Sequence, residues 1–173
     1  MTTKEILRVN HIPSPFFKTE PLTRGSKTDN ANIEFFAGTG YNFTSTDKAN
    51  AQINLLLPVI EAGDWVFSCD LAAGTSSNYA ARLVADDFSK EYAKSEGVGD
   101  GSYHAVTLRF KYDAVRRAML QIHTNNFVNL RNGLQLELAS TYDAAVSGGG
   151  GFGSSPGTPC RDRNGIRRAG GAR

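Results

Sequence analysis

An all-β protein, an antiparallel β-sandwich or barrel, is predicted by two observations on this 173-residue sequence. Apolar and polar residues alternate at period two in several separate segments, as they do in a strand with one buried face. Clusters of Gly, Asn, Asp and Ser, which supply the backbone angles of tight connections, stand between those segments. Seven or eight short strands punctuated in this way read as one sandwich rather than as a helical or mixed fold.

Taken along the chain, residues 10–28 hold Pro13, Pro15 and Pro21. Proline fixes φ and removes a ladder donor, so this stretch is expected to be irregular or extended. Weak alternation marks 31–36 (Ile33, Phe35) and 52–57 (Ile53, Leu55, Leu57). A strong strand follows over 64–71, where Trp65, Phe67, Cys69 and Leu71 share one face, which places Trp65 in the core. Residues 79–85 form another weak candidate, and the Ala, Lys and Glu content beyond it leaves room for a short helix near 86–95. The strand over 105–112 sets Val106, Leu108, Phe110 and Tyr112 against Thr107, Arg109 and Lys111. Residues 113–122 fit either a helix or a strand, and a strand over 115–123 is the reading adopted. The last strand, 133–139, alternates Leu134, Leu136 and Leu138 with Gln135 and Glu137.

Charge divides the chain. Residues 148–173 carry five arginines and one acid, a net of +4, so the +2 of the whole chain leaves −2 for the first 147 residues. A nucleic-acid-binding domain clusters its positive charge on the folded part, and none is expected for this core. The same 26 residues contain nine glycines, too few apolar groups to offset their chain entropy. Three regions follow: an N-terminal strand and Pro-rich segment (1–28), the sandwich core (29–143) and a Gly/Arg-rich tail (144–173). The tail is flexible or ordered by a partner, with Arg161, Arg163, Arg167 and Arg168 as candidate assembly-arm residues.

Catalytic and metal chemistry is not expected. His11, His104 and His123 fall in no ligand spacing, and Cys69 and Cys160 are too far apart for a metal motif. Cys69 reads as a small buried hydrophobe. The run Gly148–Gly151 lacks the Lys-Ser/Thr of a phosphate loop. No cofactor is expected. The N-terminus has no apolar signal core, and no stretch approaches a membrane span, so a soluble chain is expected. Aromatic and polar residues outside the core stripes offer a sugar surface instead. Tyr79 and Tyr103 are the candidate stacking rings, with Arg82, His123 and Asn125 as polar partners.

Four blocks carry a family resemblance. Asn10-X-X-Pro13-Ser14-Pro15-Phe16-Phe17 resembles the opening "N-X-X-P-N-P-S-F" of carbohydrate-binding-module-like jelly rolls in bacteriophage tail and virion proteins. Residues 62–70 resemble that family's "G-X-Y-T-F-S" strand, residues 103–110 its "T-X-T-F" strand, and residues 133–142 its closing "Q-L-E-X-G-S" block, with Ala139 in place of the usual glycine. The blocks stand in family order over roughly 8–143. The resemblance implies a jelly roll whose closing strand returns beside the first. It also implies a non-catalytic virion structural protein: a minor tail, tail-tip or fibre component that contacts other virion proteins and a host-surface glycan, often as a homotrimer. The alternative is a capsid decoration protein that grips its neighbours through its terminal arms.

Overall fold

The computed structural model describes residues 8–74, 79–97 and 99–147. Ten strands occur in chain order: β1 (Thr23–Lys27), β2 (Ala31–Phe36), β3 (Gly40–Ser45), β4 (Ala51–Leu56), β5 (Gly63–Ala73), β6 (Ala81–Ala85), β7 (Glu91–Lys94), β8 (Tyr103–Tyr112), β9 (Ala118–Thr124) and β10 (Phe127–Leu138). A single helix, α1 (Ala139–Ser147), follows. The strands form two five-stranded antiparallel sheets. Sheet A has the order β1-β4-β9-β6-β7, and sheet B the order β2-β3-β10-β5-β8. The fold is the predicted antiparallel β-sandwich.

Period-two patterning builds the core between the sheets. Sheet A contributes Ile53, Leu55, Leu83, Leu120 and Ile122, and sheet B contributes Tyr41, Phe43, Trp65, Phe67, Leu71, Leu108, Leu130 and Leu136. Burying such side chains gives roughly 1.5–3 kcal/mol each, which drives closure of the two layers. Cys69 is buried as expected, and loss of hydration pushes its thiol up to about 12.

Several elements depart from the sequence reading. The stretch near 86–95 is a turn followed by the strand β7, not a helix, because Tyr92 packs on Phe110 and Tyr112 of the other sheet. The predicted strand over 115–123 exists as β9, at the centre of sheet A with all seven residues buried. The last strand begins earlier than expected, at Phe127, and bends at a bulge between Arg131 and Leu134. It ends at Leu138, so the final residues of the closing motif are helical. Tyr142 on α1 lies under two guanidinium groups, Arg8 at 5.6 Å and Arg109 at 5.1 Å, and Arg109 also pairs with Asp143. Those contacts hold a helix that has no buried residue of its own.

The closing strand β10 lies between β3 and β5, not beside β1, which pairs with β4. What does lie beside β10 is the N-terminal segment. Where β3 stops, Asn10 takes its place: its Oδ1 accepts from the Leu136 amide at 3.0 Å and its Nδ2 donates to the Leu134 carbonyl at 2.8 Å. The His11 amide donates to the Leu136 carbonyl at 2.8 Å, and the Leu134 amide donates to Pro15 at 2.9 Å. The opening Asn-X-X-Pro-Ser-Pro motif thus satisfies a strand edge that prolines alone could not pair. The tail arginines Arg161, Arg163, Arg167 and Arg168 lie outside the described residues.

Candidate functional site

Strand alternation decides which residues of sheet A face away from the core. With Ile53, Leu55, Leu83, Leu120 and Ile122 turned inward, Asn54, Gln121 and Arg82 must face outward. The register puts them in one line, Asn54 opposite Gln121 and Gln121 opposite Arg82. They are bonded into a continuous row. Asn54 Nδ2 donates to Ser26 on β1 at 2.9 Å, and Gln121 Nε2 donates to Asn54 Oδ1 at 2.9 Å. Gln121 Oε1 accepts from the Tyr79 hydroxyl at 3.0 Å and from Arg82 Nε. Arg82 Nη1 then reaches Glu91 on β7 at 3.0 Å.

The orientation of this row follows from Arg82. A guanidinium only donates, so the Gln121 oxygen must face it, and each amide beyond is set in turn. Bonds aligned head to tail polarise one another, and the row therefore holds Arg82 in a fixed orientation. Gln121 and Asn54 are almost fully buried in its floor, while the Arg82 side chain keeps 26% of its surface open. Glu91 balances the Arg82 charge, so the row is close to neutral.

Rings and apolar groups flank the row. Tyr79 stacks on His123 with centroids 4.9 Å apart, and the Arg82 guanidinium lies 4.8 Å from the Tyr79 centroid. Burial raises the Tyr79 phenol above its ordinary range. Burial first, and the Arg82 charge second, hold the His123 imidazole below its ordinary value. On the other side of the row, Leu56, Met119 and Val84 line up in register.

Three of the five sequence-predicted site residues, Tyr79, Arg82 and His123, therefore meet on one surface. Asn125 lies just past β9, and its side-chain oxygen is buried without a bond among the described residues. Tyr103 is elsewhere, at the start of β8 in sheet B. The sequence reading missed Asn54 and Gln121. Their signal was available: each is a polar residue at an outward position of an otherwise apolar strand.

Tyr103 belongs to an open groove of about 520 Å³ at one end of sheet B, within the size range of ligand sites. Phe16, Thr39 and Arg131 share its lining. Phe16 and Tyr103 are 38% and 48% exposed. Among the described residues, no group of three His, Cys, Asp or Glu gathers as metal ligands would, and no helix is long and apolar enough to cross a membrane.

The fold has solved counterparts. A family 29 carbohydrate-binding module with a lysine-to-alanine substitution, in complex with cellulohexaose, is similar over 76% of this chain and 93% of its own, at a TM-score of 0.52 and 8% identity. An aspartate-to-alanine variant of a family 29 module is similar over 75% and 89%, at a TM-score of 0.50 and 8% identity. At that identity the likeness is one of fold: the chain is a carbohydrate-binding-module-like β-sandwich. No family model and no curated relative matches the sequence.

Proposed function

We propose that this chain is a non-catalytic glycan-recognition module that binds a neutral oligosaccharide on the outward face of sheet A. The observation that carries the reading is the bonded row from Ser26 through Asn54 and Gln121 to Arg82, flanked by the Tyr79–His123 stack. A pyranose offers the complementary surfaces, hydroxyls around its edge and apolar C–H groups on its faces. The hydroxyls meet the partly open Arg82 and Glu91, which the buried Gln121 and Asn54 beneath hold in orientation, and this reduces the ordering cost of binding. The apolar faces meet Tyr79, beside Arg82. The row holds one carboxylate, Glu91, and it is paired with Arg82. Glycoside hydrolysis uses two carboxyl groups facing the scissile bond, so this arrangement favours holding a sugar over cutting it. Cellulohexaose on a module of the same fold supports the same ligand class.

The proposed setting is a bacteriophage virion, as a tail, tail-tip or fibre component that contacts other virion proteins and assembles as a homotrimer. Its support is the family order of the four sequence blocks, the first of which has a defined structural task at the edge of β10.

Binding is tested with the full chain on a glycan array that includes cellohexaose and other neutral hexasaccharides. At least one neutral hit is expected, weakened about tenfold by Arg82→Gln, equivalent to about 1.4 kcal/mol. No hit, or hits indifferent to Arg82→Gln, contradict the reading. Imaging of labelled virions tests the setting: label at the tail supports it, and label on capsid hexamers replaces it with a decoration role.

A further inference from the structure

The groove at the end of sheet B differs from the sheet A row in charge and in backbone. Among the described residues, its single charged lining residue is Arg131. Nη1 of Arg131 donates to the carbonyls of Tyr41 and Leu130, at 3.0 and 3.5 Å, which holds the guanidinium in place. Asp70 stands opposite Arg131 in the strand register, but its carboxylate is taken by Asn132 Nδ2 at 2.9 Å. Among the described residues, Arg131 and Arg117 form no ion pair, whereas Arg8, Arg24, Arg82, Arg109 and Arg116 each do; Arg117 instead donates to the Leu57 carbonyl at 2.8 Å. The Arg131 guanidinium is tethered by one nitrogen and stands beside two exposed rings, Phe16 and Tyr103, with Asp70 across the strand held by Asn132 rather than by Arg131.

The backbone around the groove is held in costly conformations. Phe17 (φ 61°), Gly38 (φ 75°), Asn132 (φ 61°) and Gly133 (φ 102°) all line it in the left-handed region. Glycine adopts such a φ freely and asparagine tolerates it, but for a phenylalanine it is unfavourable and persists only where the surroundings impose it. Here they do: the Gly38 amide donates to the Phe17 carbonyl at 2.7 Å, and the β10 bulge places Arg131, Asn132 and Gly133 along one wall. Bulges recur beside functional sites because they re-aim a side chain.

We infer that this groove is a second carbohydrate site, for a sugar that bears a carboxylate. The Tyr103 and Phe16 rings take the apolar faces of the saccharide, and the free edge of the Arg131 guanidinium takes the carboxylate. A guanidinium matches a carboxylate with two parallel N–H···O bonds, and no acid is among the described lining residues. The site stands apart from the sheet A reading, which concerns neutral sugars on the other sheet.

The test is a titration of the full ¹⁵N-labelled chain with trigalacturonic acid, and with cellotriose as the neutral control, followed by amide shifts and calorimetry. Expected are shifts at Thr39, Tyr103 and Asn132 with the acidic trisaccharide, and at least tenfold weaker binding of cellotriose at those residues. Tyr103→Ala, at the exposed end of β8, lowers trigalacturonate affinity about tenfold. Arg131→Gln removes the preference for the acid, and Arg82→Gln leaves it within twofold. The inference is overturned if trigalacturonate at saturating concentration shifts no groove amide. It is also overturned if the two trisaccharides bind there equally, or if Arg82→Gln abolishes binding while Tyr103→Ala does not.

Discussion

The two sheets bury similar apolar stripes against each other, yet their outward faces are organised by opposite rules. On sheet A, regular unbulged pairing through β4, β9 and β6 sets polar residues in register, and each hydrogen-bonding group finds a partner on the next strand. On sheet B, the β10 bulge and the N-terminal segment break the register and leave a groove, exposed rings and an arginine that forms no ion pair among the described residues. The first face is preorganised by its own bonds, and the second is shaped by backbone strain. Regular pairing builds the face proposed to read hydroxyl groups, and irregular pairing builds the one proposed to read a charge.

The largest effect is expected where sheet B carries its own buried charge. Glu137 is fully buried on the outward side of β10 and is held by Arg8, Gln135 and Thr141. Arg8→Ala strips the carboxylate of its cation, and removing one partner of a buried pair costs about 3 kcal/mol. A fall of that size in the free energy of urea unfolding is expected, with sugar binding on sheet A retained in the protein that folds. A change below about 1 kcal/mol would mean that the remaining hydrogen bonds hold the charge unaided.

A smaller loss, of about 2 kcal/mol, is expected from Gln121→Leu. The substitution keeps the volume but removes the bonds that Gln121 makes to Asn54, Arg82 and Tyr79. Binding of neutral sugar should disappear in calorimetry while the Tyr103 groove is unaffected. Joint loss of both would erase the distinction between the faces.

The smallest effect is a pH dependence specific to sheet A. His123 has a lowered pKa in the folded protein, so the folded state binds fewer protons than the unfolded chain around the ordinary histidine range. Its contribution is complete above about pH 6.5 and is lost as pH falls through the lowered folded value. Thermal melts between pH 8 and pH 5 should therefore show a steeper acid loss in the native chain than in His123→Gln. Parallel curves would remove His123 from the account.

How much of this was legible depended on whether a segment carried its own periodicity. β5, β8 and the second half of β10 could be read because each alternates over seven or more residues. β1 could not: Thr23–Lys27 has no buried residue, and it is a strand only because β4 offers it partners. β7 was masked by Ala, Lys and Glu, and became a strand through the packing of Tyr92 across the sandwich. Tyr79, Arg82 and His123 were readable as residue types, but their convergence depended on the Arg82–Gln121–Asn54 register, which no local pattern encodes. The groove was less legible still, since Phe16 and Arg131 are more than a hundred residues apart and meet only through the bulge.

The central claim, that the ordered row of sheet A reads a neutral sugar, is tested most directly by mapping amide shifts of the full chain with cellohexaose and with any other neutral hexasaccharide found on the array. Shifts concentrated at Asn54, Arg82, Gln121 and His123, and lost in Gln121→Leu, are expected. Binding that leaves those amides unmoved, or no binding by any neutral glycan, would contradict it.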